Sequence, residues 1–240
     1  MIRGVLYSLN ALMGESYEDE EFLDTPVRIR RRECPELRAF IGPHKWRTRV
    51  LEDIRLRVKS EVLAGKPRNE YPDILKLIRN VLSHHSDKPV PDDLPEKVLR
   101  ILDRFSGFTF SDLTMRVIQE VYRRNYVQAI VANSIIPARF YSDHFTQSGV
   151  SRFFEAIITS SDLEVAKPDP AIFEFALEAL QFKAEELIFV ADSLETDVMG
   201  GVQMGIRTIL LNRYTRIPVV PRGVEVVQDF RQLIAKLQPL

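Results

Sequence analysis

From residue 106 onward, short apolar runs alternate with amphipathic segments, and few folds accept that pattern. "SDLTMRVIQEVYRRN" reads as a helix capped by Ser111 or Asp112. "YVQAIVANS" reads as a strand that ends in small polar residues, and "RFFEAIITSSDL" carries a short strand. "DPAIFEFALEALQF" is a helix with Asp169 as its cap and Pro170 at its first position. "LIFVADS" is a continuous apolar strand, and "ETDVMGGVQMG" is a short helix ended by Gly205. "RTILLN" is a further strand, and "VQDFRQLIAKL" is a closing helix. Continuously apolar strands separated by helices imply a parallel sheet covered on both faces.

Near the start, "GVLYSL" (Gly4 to Leu9) reads as one more buried strand, with turn-like residues after it. The character then changes. "RTRVLEDIRLRVKSEVLAG", "YPDILKLIRNVLSHH" and "LPEKVLRILDRF" are charged, with apolar residues at helical spacing. The fold class expected is α/β: a Rossmann-like parallel-sheet core, residues 1–17 and 103–240, with an inserted α-helical domain over 18–102.

Composition removes several function classes. Lys+Arg 33 against Asp+Glu 34 leaves a net charge of −1, so no global field draws nucleic acid or an anionic membrane. One cysteine, Cys34, permits no internal disulfide, and no Cys/His cluster suggests zinc. Cys34 reads as a structural or surface thiol. No apolar run reaches the roughly 18–20 residues that span a bilayer. The N-terminus lacks the pattern of a signal peptide, and a cytoplasmic, reducing location is expected.

In open parallel sheets, ligands bind beyond the carboxyl ends of the strands, where the strand order reverses. Ser8, Asn10, Ala132, Asn133, Asp192 and Ser193 would gather there. In "VADSLETDVMGG", Asp192 ends a strand and Asp197 follows five residues later. Two carboxylates beside one strand end suit a hard cation such as Mg2+. The bland alternative makes Asp192 and Ser193 turn and cap residues and Asp197 a solvated first-turn acid. Lys167, before the Pro170 helix, reads either as an exposed loop lysine or as a point charge reaching the carboxylates or an anionic ligand. His84 and His85 point about 100° apart on a helix and read as a helix end. "RIRRRE" (Arg28 to Glu33) reads as a solvated edge, and Trp46, Phe22 and Phe40 as packing residues.

"AKPDPAIFEFALEAL" followed by "LIFVADSLETDVMGGVQMGIRTILLNR" resembles the third and fourth motifs of the haloacid dehalogenase (HAD) superfamily. The plan of a first strand, a helical cap insertion and a Rossmann-like core resembles its helical-cap group, which includes 2-haloacid dehalogenases and phosphoglycolate-phosphatase-like enzymes. The resemblance implies an Asp-x-Asp after the first strand. Its first aspartate is the nucleophile. The second is the acid/base in the phosphatases and lends its backbone carbonyl to Mg2+. In "VLYSLNALM", Ser8 stands at the nucleophile position and Asn10 at the acid/base position. In "IVANS", Ala132 replaces the usual hydroxyl residue, and Asn133 remains.

A serine hydroxyl, unlike a carboxylate, needs an adjacent base to attack. Asn10 cannot take a proton, and an Asp192 held by Lys167 would be a weak base. Any Mg2+ site, at Asp192 and Asp197, is expected to be weakened. A small anion such as phosphate or a carboxylate, held by Ala132, Asn133, Ser134, Lys167 and Ser193, is the expected ligand. The sequence names no protein partner. Two readings stay open: a binding or regulatory module without aspartyl chemistry, and a hydrolase with a rearranged site using Ser8 or a carboxylate among Glu15, Glu18, Asp19, Glu20 and Glu21.

Overall fold

Six strands run parallel in the order β3-β2-β1-β4-β5-β6. They are β1 Gly4–Ser8, β2 Val127–Ala132, β3 Ala156–Thr159, β4 Leu187–Ala191, β5 Arg207–Leu211 and β6 Glu225–Val227. The computed structural model describes residues 1–13, 34–42, 49–65, 68–103, 110–213 and 219–237. The chain divides into two units, 1–16 with 108–240, and 17–107. The sequence places these divisions after residues 17 and 102.

In the first unit, β1 and β4 are buried along their whole length, as strands between two helical layers must be. Leu6, Val131, Ile158, Phe173, Phe189 and Leu210 belong to one apolar core around the sheet. A buried polar pair on β1 and β2 is also fully used. The Tyr7 hydroxyl donates to Gln128 Oε1 (3.0 Å), and Gln128 Nε2 donates to the carbonyls of Ile118 (3.1 Å) and Phe153 (3.3 Å). These bonds remove the cost of burying uncompensated polar groups.

Ser111 caps the helix Asp112–Arg123, and Asp169 caps the helix Pro170–Leu180, its side chain accepting from the Ala171 amide (2.9 Å). After β1 the chain does not turn. It enters a short helix, Leu9–Met13, which buries Leu9, Ala11, Leu12 and Met13. Tertiary burial overrides the turn-like character of Ser8 and Asn10. The helix Ala138–Gln147 and the edge strand β6 are absent from the sequence reading. Three residues are too few for β6 to show a period.

Strands β1, β2 and β3 extend to one side, and β4, β5 and β6 to the other. The order therefore reverses between β1 and β4, and the carboxyl ends of these two strands flank the switch point. The descent from β4 is a π-helical turn, Leu194–Val198, continuing as the helix Met199–Gln203. That helix lies close to its neighbours at two glycines. A Cβ on Gly200 would meet the Phe173 ring and lie 3.2 Å from Pro168 Cα. A Cβ on Gly201 would meet Thr208 Oγ1 and the Phe189 ring. Gly200→Ala is expected to destabilise by about 1–3 kcal/mol through overpacking, read as a lower urea midpoint at unchanged slope.

The second unit contributes the helices Pro35–Ile41, Arg49–Gly65, Ile74–His85 and Leu94–Asp103 among its described residues. Leu51, Ile54, Val58, Ile78, Leu82, Val98 and Leu99 are buried in it. Phe40 is buried as well, in keeping with a packing role. Cys34 is buried at the start of its helix, and burial pushes its thiol upward, so it is a structural thiol. His85 Nε2 meets Asp53 Oδ2 (2.8 Å), and His84 Nδ1 meets the Asn80 carbonyl (2.6 Å). Trp46, Phe22, the acids from Glu15 to Glu21 and the Arg28 to Glu33 run lie outside the described residues.

Candidate functional site

Lys167 is the hub at the switch point. Its side chain is only 3% exposed, which rules out the loop-lysine reading. Nζ donates to Asp197 Oδ1 (2.7 Å), Ser8 Oγ (3.1 Å) and the Val131 carbonyl (3.2 Å). An ammonium has three donors, so all are engaged within the protein. The Phe189 ring lies 5.9 Å from Nζ and adds a weaker attraction.

Asn133 holds the backbone of that lysine in place. Its Oδ1 accepts from the Lys167 amide (2.7 Å), and its Nδ2 donates to the Lys167 carbonyl (3.0 Å). The sequence reading gave Asn133 to an anion, but the structure spends its amide on this two-point clamp across 34 residues. Ser134 is likewise committed inward. Its hydroxyl pairs with the Tyr141 hydroxyl (2.7 Å) and accepts from the Ile136 amide (3.0 Å). Its backbone amide donates to Ser160 Oγ (2.7 Å). Neither Tyr141 nor Ser160 is signalled by any motif. Ala132 ends β2 and is buried. Asn10 is half-buried on the helix after β1.

Asp197 is 1% exposed and is not a solvated first-turn acid. Oδ1 takes Lys167, and Oδ2 accepts the amides of Asp192 (3.0 Å) and Ser193 (3.2 Å). Ser193 also caps the π turn, its hydroxyl accepting from the Thr196 amide (3.3 Å). Burial would raise the Asp197 carboxyl, but the Lys167 charge and the hydrogen bonds from Lys167 and Asp192 together outweigh it and hold the group below the usual carboxylate value.

Asp192 behaves in the opposite way. Its carboxyl is pushed up to about 7, first by burial and then by the Asp197 charge, against smaller pulls from Lys167 and Ser8. Its Oδ1 is buried with no hydrogen-bond partner. The sequence reading had Lys167 holding Asp192 as a weak base. The π turn gives Lys167 to Asp197 instead, and leaves Asp192 able to exchange a proton near neutrality.

The comparisons with known proteins fit this geometry. A family model described as haloacid dehalogenase-like hydrolase matches residues 77–211, more than half of the chain. The chain belongs to the haloacid dehalogenase-like hydrolase family. Among curated members, the zebrafish (Danio rerio) haloacid dehalogenase-like hydrolase domain-containing protein 3 is 38% identical over 94 residues, 38% of each chain. Glyceraldehyde 3-phosphate phosphatase of Methanopyrus kandleri is 34% identical over 82 residues, 34% of this chain and 35% of its own. The match therefore spans well under half the length of these curated relatives. The HAD fold is shared over almost the whole chain. A 2-haloacid dehalogenase from Pseudomonas syringae has a TM-score of 0.66 at 20% identity, covering 98% of this chain and 97% of its own. A HAD phosphatase from Thermococcus onnurineus has a TM-score of 0.58 at 19% identity, with both chains fully covered.

Proposed function

We propose that this HAD-fold chain does not run aspartyl hydrolysis and serves as a ligand-binding or regulatory module, its helical unit acting as a cap. The observation that carries the reading is Ser8. At the end of β1, where the family resemblance implies a nucleophilic carboxylate, a buried neutral hydroxyl accepts a hydrogen bond from Lys167. A hydroxyl next to an ammonium that is already ion-paired has no base in that lysine. The ligand class we favour is a small anion, phosphate or a carboxylate. Of the acceptors at Lys167, Asp197 is charged and the Val131 carbonyl is fixed in β2, so the Ser8 hydroxyl, a neutral side-chain oxygen 3.1 Å away, is the one an anion oxygen would displace.

One observation supports the second reading, a rearranged hydrolase. Asp192, its carboxyl pushed up to about 7 mainly by burial, lies in the range of a general base, and Ser8 is among the groups that act on it. A screen of phosphate monoesters and 2-haloacids with Mg2+ present separates the two. The binding reading expects no turnover by the wild-type chain. Turnover abolished by Asp192→Ala would establish the hydrolase, and its survival in Ser8→Ala would remove Ser8 as the nucleophile.

A further inference from the structure

Magnesium is the ion that the family pattern implies, and the donors at the switch point do not suit it. A hard divalent cation takes oxygen ligands, with carboxylates supplying most of the compensating charge. Asp197 cannot serve, because Oδ1 is ion-paired with Lys167 and Oδ2 carries two backbone amides. Ser8 offers a neutral oxygen that is already bonded to an ammonium. Asp192 alone retains an uncommitted carboxylate oxygen. Among the described residues, no group of three Asp, Glu, His or Cys side chains is placed to hold a metal.

The Lys167 ammonium already lies against Asp197 and Ser8, so a metal ion held by these oxygens would stand beside a like charge. We propose that this site works without a resident divalent cation, and that the Lys167 ammonium, fixed between the ends of β1, β2 and the π turn, is its permanent positive charge. This extends the binding reading above and rests on the same replacement at Ser8.

The test is a titration of the apo protein with Mn2+, read as loss of the free-ion EPR signal, with Mg2+ uptake followed by calorimetry. No substrate is present. The wild-type chain should show no saturable site tighter than about 1 mM, the weak limit of dedicated oxygen-ligand sites. Ser8→Asp, which supplies the absent carboxylate, should tighten binding by at least about tenfold. Saturable sub-millimolar binding by the wild type that is lost in Asp192→Ala would overturn the proposal. So would a folded Ser8→Asp chain, checked by circular dichroism, with no gain in affinity. Metal uptake without hydrolysis contradicts this inference and leaves the non-hydrolytic reading standing. Hydrolysis without metal uptake does the reverse.

Discussion

Asp197→Ala is expected to cost about 3–5 kcal/mol of folding stability, the usual penalty for breaking one half of a buried ion pair. The lost carboxylate leaves the Lys167 ammonium in the core with one neutral hydroxyl and one carbonyl. It also strands the Asp192 and Ser193 amides that now donate to Oδ2. Urea unfolding should show the loss as a lower midpoint. Lys167→Met in the same background should recover part of it, because removing both charges is cheaper than removing one. A loss below about 1 kcal/mol in the single variant would show that the pair is solvated, contrary to its burial.

Asp192→Asn should do the opposite, and only above a certain pH. A carboxyl near 7 in the folded chain and at its ordinary value of 3.8 when unfolded binds its proton more tightly when folded. The folded state is therefore unpenalised below the unfolded value, and loses stability as pH rises from about 4 to 7. The full shift corresponds to roughly 4 kcal/mol, of which the asparagine variant should recover about 2–4 kcal/mol at pH 8 and close to nothing at pH 4. At roughly 2–4 °C per kcal/mol, the Tm difference at pH 8 should be at least about 4 °C. Asp197 works the other way, since its lowered carboxyl gives stability that is lost as pH falls below the ordinary carboxylate range. A Tm difference that does not change with pH would show that Asp192 titrates normally.

The sheet was legible because its strands are buried on both faces. "LIFVA" and "VQAIVA" cannot be solvated on either side, and helix caps such as Ser111 and Asp169 are local signals. Ser8 and Asp192 were also legible as a group, because strand ends at a switch point converge whatever their chemistry, and Lys167 and Asp197 were read beside them. Their bonding was not. Whether Lys167 meets Asp192 or Asp197 is decided by a π turn that no 3.6-residue period signals. The clamp from Asn133 and the inward bonds of Ser134 join residues 26 to 34 positions apart or rest on Tyr141, which no motif marks. Polar residues expected to face a ligand are used to hold one another.

The central claim is that the wild-type chain lacks the covalent route because of what stands at Ser8 and Asn10. The most direct test is steady-state release of inorganic phosphate from p-nitrophenyl phosphate with Mg2+, comparing the wild type with the Ser8→Asp, Asn10→Asp double variant. We expect background rates from the wild type and measurable turnover from the double variant, since acid/base help alone contributes about 10²–10⁴-fold. Wild-type turnover that Ser8→Ala or Asp192→Ala abolishes would contradict the account.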